Sequence, residues 1–186
     1  LAGIPGSMGG AVAMNAGSYG CATGERLAGV RVFTPERGTV FLPKTDFQLA
    51  YRKFNPTAKG EAAPAWFVIS EALFSLRREE PEAIKALMAE NLRKKAATQP
   101  ISAASAGCVF KNPAPGVSAG KLLDDAGFKG RRAGRMMFSE LHANFLINTG
   151  GGTSKQALGL LDEARQSVLA KFGYNLELEV KVIHGS

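Results

Sequence analysis

Apolar positions recur with a helical period in two long stretches of this chain and alternate with a period of two in several short ones. Ala157, Leu158, Leu161, Ala164, Val168, Leu169 and Phe172 form one apolar stripe. Thr153 and Gln156 stand at capping-box spacing before it and Gly173 closes it, which predicts a helix over Ser154–Phe172. A second helix is predicted over 79–97, with Ile84, Leu87, Met88 and Leu92 on one face and Pro100 as the stop. A shorter helix over 118–126 has Ser118 as its N-cap and Gly127 at its end. Residues 30–34 and 39–42 read as the strands of a hairpin around Pro35-Glu36-Arg37-Gly38. Residues 66–69, continuing through Ala72, Phe74 and Leu76, read as a buried strand, and 143–148 as another ahead of Gly150-Gly151-Gly152. The end of the chain alternates, with Leu176, Leu178, Val180 and Val182 on one face and Glu177, Glu179 and Lys181 on the other, which predicts a half-buried strand over 176–183.

The order of these elements is that of an α+β protein, and 186 residues suffice for one large domain or two small ones. A hydrophobic share of 45% and a charged share of 21% are ordinary for a soluble globular protein. No apolar run approaches the roughly 20 residues of a membrane span, and no secretory leader is visible. Two cysteines, Cys21 and Cys108, do not make a disulfide scaffold, so a cytoplasmic setting is expected. The chain opens on Leu1 inside a glycine-rich stretch, and an N-terminal portion is expected to be missing. The net charge of +7 fits either a solvated basic surface or attraction of acidic partners. No helix-turn-helix, zinc finger or aromatic–basic RNA signature accompanies it, so nucleic acid is not the expected partner.

Two stretches and a few isolated residues carry candidate chemistry. From Gly3 to Gly20 small residues dominate, so backbone N–H groups can approach a pyrophosphate; by pattern alone, tight packing accounts for them equally well. The stretch is neither a Walker A loop nor a GxGxxG fingerprint between strand and helix. Ser105-Ala106-Gly107-Cys108-Val109-Phe110-Lys111-Asn112-Pro113 gathers a thiol, an ammonium and an amide beside residues that restrict the backbone. Read as a strand, it places Cys108, Phe110 and Asn112 on one face, so the thiol and the amide address one ligand, and Lys111 points away. A lone cysteine is otherwise a small buried hydrophobe, Arg52 beside Tyr51 a surface cation, and Glu179 a member of a solvated face. Lone His142 has no second ligand at metal spacing, so no metal site is expected.

Taken together and in order, Gly-Ile-Pro-Gly, Gly-Gly-Ala and Met-Asn-Ala-Gly-x-Tyr-Gly, then Tyr51-Arg52, the Cys108 segment, His142-Ala143-Asn144-Phe145 and Leu178-Glu179-Val180 resemble the UDP-N-acetylenolpyruvoylglucosamine reductases. The short span between Arg52 and Trp66 resembles the subtype without the tyrosine loop. The resemblance implies the second part of an FAD-binding domain over 1–97, a substrate-binding domain over 98–175, and a C-terminal strand over 176–186 that returns to the flavin domain. It implies FAD as cofactor, NADPH as reductant and UDP-N-acetylglucosamine enolpyruvate as substrate, in a monomer that takes part in cell-wall synthesis. Gly3, Ile4, Pro5, Gly6, Ser7, Gly9, Gly10, Ala11, Asn15 and Gly17 then face the flavin. Tyr19, Arg52, Lys111 and Asn112 face the substrate. Cys108, where many members carry Ser, gives a proton to C2, while Arg52 and Glu179 support the enolate formed by hydride addition at C3. Glu177 lies on the same strand face as Glu179, and which acid acts stays open. A non-catalytic nucleotide-ligand-binding module of the same fold is the alternative.

Overall fold

The computed structural model describes residues 3, 4 and 6–183. They form an α+β structure in two units, divided between Ala89 and Glu90.

In the first unit the small-residue stretch supports only short elements, because Gly and Ala offer little surface to bury. These are helix α1 (Met8–Ala13), strands β1 (Gly17–Ser18) and β2 (Cys21–Ala22), and helix α2 (Thr23–Arg26). The apolar runs beyond them build the sheet. β3 (Leu27–Thr34) pairs antiparallel with β4 (Gly38–Pro43), the expected hairpin, and Gly38 takes a φ of 64° at its turn. β5 (Gln48–Ala50) and β6 (Lys53–Asn55) form a separate hairpin. β7 (Val68–Phe74) then joins the free side of β3, giving the order β4-β3-β7. Val30, Val32 and Leu42 pack inward with Val12, Leu27, Phe47 and Phe54.

The expected buried strand is therefore only half buried: Trp66, Val68 and Leu73 are exposed, and Ile69, Ala72 and Phe74 reach the core. A register shift between the partners of Arg31 and Val32 moves the parity of inward residues along β7. The long helix α3 (Pro81–Thr98) begins on proline, which fits a first helical position with no N–H to satisfy. Its periodicity is as read, but the stripe Ile84, Leu87, Met88 and Leu92 is 40–59% exposed and builds no core.

The second unit contains β8 (Ser105–Cys108), α4 (Ala119–Asp125), β9 (Arg132–Ala133), β10 (Met136–Phe138), β11 (Phe145–Asn148) and α5 (Ser154–Phe172). Its antiparallel sheet has the order β8-β11-β10-β9. α5 has the predicted limits: Thr153 Oγ1 accepts from Gln156 N–H at 3.2 Å, Gln156 Oε1 accepts from Thr153 N–H at 3.2 Å, and Gly173 closes the helix at φ 75°. Leu160, Leu161, Ala164 and Val168 pack with Phe110, Leu123, Phe138 and Leu146. Leu158, Leu169 and Phe172, expected in the stripe, lie on its outer flank and are exposed.

The C-terminal segment departs from the expected regular strand. Lys111 N–H donates to Glu177 O and Glu179 N–H to Val109 O, at 2.9 and 2.8 Å, around a single bridge between Phe110 and Leu178. The partner stretch is too short for more: Cys108 is already paired with β11, and Pro113 has no N–H to offer. Leu176 is fully buried, and the alternation ends within the next few residues. Among the described residues no helix is long and apolar enough to cross a membrane.

Candidate functional site

In the first unit the candidate residues are held on tight turns. Ser7 caps α1, its Oγ accepting from Gly10 N–H at 3.1 Å, and Val12 anchors the helix in the core. Asn15 follows at φ 40° and uses both ends of its amide: Nδ2 donates to Ala50 O at 3.1 Å, and Oδ1 accepts from Gly24 N–H at 2.9 Å. Thr23 Oγ1 donates to Ala16 O at 2.7 Å and closes the same loop. A Cβ at Gly17 would stand 2.8 Å from Cys21 O, so the β1–β2 hairpin requires glycine there. Tyr19 and Gly20 form its tip with φ of 51° and 78°, the signs of a type I′ turn, and the tyrosine ring is exposed.

Tyr51 and Arg52 make the equivalent two-residue tip between β5 and β6, with Arg52 at φ 56° and its guanidinium 4.9 Å from the centre of the Tyr51 ring. Asn15, Tyr19 and Arg52 are the non-glycine residues with positive φ among the described residues. Such strain collects where a side chain must be presented in one direction, and each of the three is a residue singled out from the sequence. Asn15 also ties the glycine-rich loop to Ala50, the last residue of β5 before Tyr51. Gly3, Gly6, Ser7 and Gly10 are exposed, Ile4, Gly9 and Ala11 half-buried, and a Cβ at Gly6 would meet nothing within 4 Å. This is a bare main-chain surface open to a flat or anionic group. Pro5 lies outside the described residues.

In the second unit Cys108 ends β8 opposite Phe145. Between the pairs Ser105–Ile147 and Cys108–Phe145 the register shifts, because β8 advances further than β11, and Gly107 absorbs the extra residue at φ 89°. Beyond Cys108 the chain bends. Val109 and Phe110 are both buried, at 3% and 1% exposure, which breaks the parity expected for 108, 110 and 112. Phe110 enters the core while Cys108 stays half-buried. The thiol and the Asn112 amide therefore do not share a face with Phe110 as a flat strand would have it.

Asn112 lies beyond the bend, where its Oδ1 accepts from Ala119 N–H at the start of α4, at 3.0 Å. Lys111 turns to Glu177, Nζ to Oε2 3.0 Å, a partly exposed pair. Glu179 is joined through its N–H to Val109 O. The fold thus brings the neighbour of Cys108 and the neighbour of Glu179 onto paired segments, and gives Glu177 an ionic partner of its own.

The bent segment is bonded to a residue that periodicity does not single out. Asn144, 3% exposed, donates from Nδ2 to Phe110 O at 2.8 Å and accepts at Oδ1 from Phe110 N–H at 3.0 Å. Its own carbonyl accepts from Val109 N–H at 2.9 Å. Its N–H donates to His142 Nδ1 at 3.2 Å, so that nitrogen carries no proton. Burial pushes the His142 imidazole below its ordinary value, with Lys129 adding to the effect and Asp124 opposing it. Ser139 Oγ accepts from the N–H groups of Leu141 and His142 and fixes the turn that leads there. The one signal in the sequence was the His-Ala-Asn-Phe string itself.

Residues 99–183 match the family model described as UDP-N-acetylenolpyruvoylglucosamine reductase, C-terminal domain. The chain is 54% identical over 178 residues to the UDP-N-acetylenolpyruvoylglucosamine reductase of Nitratidesulfovibrio vulgaris, covering 96% of this chain and 59% of that protein. The reductase of the same name from Oleidesulfovibrio alaskensis is 48% identical, with 95% and 58% covered. The crystal structure of UDP-N-acetylenolpyruvylglucosamine reductase from Thermus caldophilus superposes with a TM-score of 0.78 at 34% identity, over 96% of this chain and 61% of that one. The chain spans less than two thirds of the length of these relatives. By sequence and by fold the chain is similar to the UDP-N-acetylenolpyruvoylglucosamine reductases, and residues 99–183 match the model of that family's C-terminal domain.

Proposed function

We propose that the protein reduces UDP-N-acetylglucosamine enolpyruvate to UDP-N-acetylmuramate with NADPH as reductant and FAD as cofactor. The observation that supports this most directly is the presentation of Cys108: it lies between a glycine bulge and a bend, beside a segment bonded to the backbone of Glu179. The exposed main chain at Gly3, Gly6, Ser7 and Gly10 fits FAD, these small residues leaving room for its pyrophosphate to approach. When bound there, FAD reduced by NADPH would provide the hydride for C3 of the enolpyruvyl group.

The remaining chemistry falls to side chains. Hydride addition drives negative charge onto the carboxylate, and a cation fixed by its turn, Arg52, stabilises that charge more in the transition state than in the substrate. Glu179 holds the enol form productive. Cys108 gives its S–H proton to C2, completing addition of one hydride and one proton across the double bond, and water then reprotonates the thiolate. Tyr19, Lys111 and Asn112 bind the substrate.

The test separates the half-reactions of the holoenzyme. Cys108→Ala is expected to leave flavin reduction by NADPH intact and to block reoxidation by substrate, whereas Cys108→Ser retains activity. Equal loss of both half-reactions would remove Cys108 from this role. Binding of substrate without any turnover by the intact enzyme would make the protein a ligand-binding module instead.

A further inference from the structure

We propose that Asn144 is the positioning residue for Cys108: its side-chain amide, bonded to both backbone groups of Phe110, sets the direction from which the thiol meets the substrate. This rests on the reading of Cys108 as proton donor.

Cys108 is paired with Phe145 at the end of β8, and before it stands the bulge at Gly107, a glycine at positive φ with open space around it. The residues that follow fix the backbone on its other side. Val109 is held by Asn144 O and by Glu179 N–H, and Phe110 by the two ends of the Asn144 amide. A side chain here replaces the ladder partner that a neighbouring strand would supply. Without it the Phe110 N–H and C=O would be buried and unpaired.

The chemistry of the clamp is specific. It needs one donor and one acceptor on a short planar fork, and asparagine is the side chain of this reach that offers both. Aspartate keeps the acceptor for Phe110 N–H but sets a second acceptor against Phe110 O. Serine is too short to span both groups and admits water. The clamp is seated from behind, because Asn144 N–H is bonded to His142 and the Phe145 ring packs edge-on to the imidazole with centres 5.0 Å apart. Rotation of Asn144 would therefore break contacts on both sides.

The experiment uses the holoenzyme with Cys21→Ser, which removes the exposed thiol of the glycine-rich stretch, and alkylation is read on the peptide that carries Cys108. Asn144→Asp and Asn144→Ser are each made with Cys108 and with Cys108→Ala. Rapid mixing measures both half-reactions, and iodoacetamide trapping measures the pH profile of Cys108 alkylation. The expectation is that reduction by NADPH changes less than about twofold while reoxidation by substrate slows about tenfold or more. The alkylation profile moves, and in the Cys108→Ala background the Asn144 substitution adds less than about twofold. The same loss of reoxidation in both backgrounds, or an unmoved alkylation profile with normal reoxidation, overturns the proposal. If Cys108→Ala alone spares reoxidation, the proton-donor reading fails; the alkylation profile then decides by itself whether Asn144 positions the thiol. Asn144→Ser, which leaves room for water at Phe110, decides the case if Asn144→Asp does not fold.

Discussion

The imidazole of His142 occupies the space that a side chain at Gly120 would need. A Cβ built at position 120 lies 2.8 Å from Cε1 of His142 and 3.5 Å from both ring nitrogens. The ring cannot withdraw freely, because Nδ1 is bonded to Asn144 and one face meets Phe145. Gly120→Ala should therefore destabilise the second unit by about 1–3 kcal/mol, as overpacking does, despite the better helix propensity of alanine. Gly159, in α5, has nothing within 4 Å of its Cβ position, and Gly159→Ala should stabilise by about 0.5–1 kcal/mol. Opposite shifts in the denaturant midpoint would verify the pair, and a stabilising Gly120→Ala would refute the packing described.

His142 also gives a pH dependence of definite sign. Burial holds its folded pKa below the ordinary 6.5, so the unfolded chain binds the proton more readily. The contribution is fully present above 6.5 and is lost as pH falls through the folded value. Protonation also removes the Nδ1 acceptor used by Asn144. Thermal midpoints should fall on acidification from neutral pH, and His142→Asn should flatten that part of the curve. An equal acid slope in the variant would assign the effect to other groups.

Asn15 combines a left-handed backbone with two side-chain bonds. Asn15→Gly removes the bonds and keeps the conformation accessible, whereas Asn15→Ala removes both advantages. Losses of about 1–2 kcal/mol for glycine, and about 1 kcal/mol more for alanine, are expected in chemical denaturation. Equal losses would mean that the φ of Asn15 carries no strain.

The two acids near the chain end are distinguished by their surroundings. Glu177 forms a partly exposed pair with Lys111, its side chain 74% exposed, so Glu177→Gln should alter stability by no more than about 1 kcal/mol and turnover by less than about threefold. Glu179→Gln should slow reoxidation by substrate about a hundredfold, as loss of a group acting in the transition state does. A reversal of this order in single-turnover kinetics would transfer the proposed role to Glu177.

The parts of the fold that were legible in the sequence are those settled by neighbours along the chain. α5 carries its start in Thr153 and Gln156 and its stop in Gly173, all within hydrogen-bonding reach of its own backbone. The β3–β4 hairpin is equally local. The helical period of α3 was legible, yet period says only which residues share a face, and its stripe meets no core. Strand parity misled at Cys108 for a related reason. It assumes a flat ladder, and here the backbone bends beyond Cys108 and bonds to an amide 34 residues away in sequence. No pattern within 105–113 contains that information. The candidate residues themselves were legible through family resemblance, while their strain, at Asn15, Tyr19 and Arg52, emerged only with the backbone angles.

That strain bears on any attempt to make the protein more heat-resistant. At the tip of the β1–β2 hairpin, Tyr19 sits at a φ that asparagine or glycine adopts with less cost. A screen that rewards survival at high temperature, or a design procedure that scores the backbone alone, would replace the tyrosine early and record an improvement. The same logic would act on Arg52. Thermostabilisation of this scaffold would thus erode its proposed substrate contacts first, and a library selected for stability should hold both positions constant.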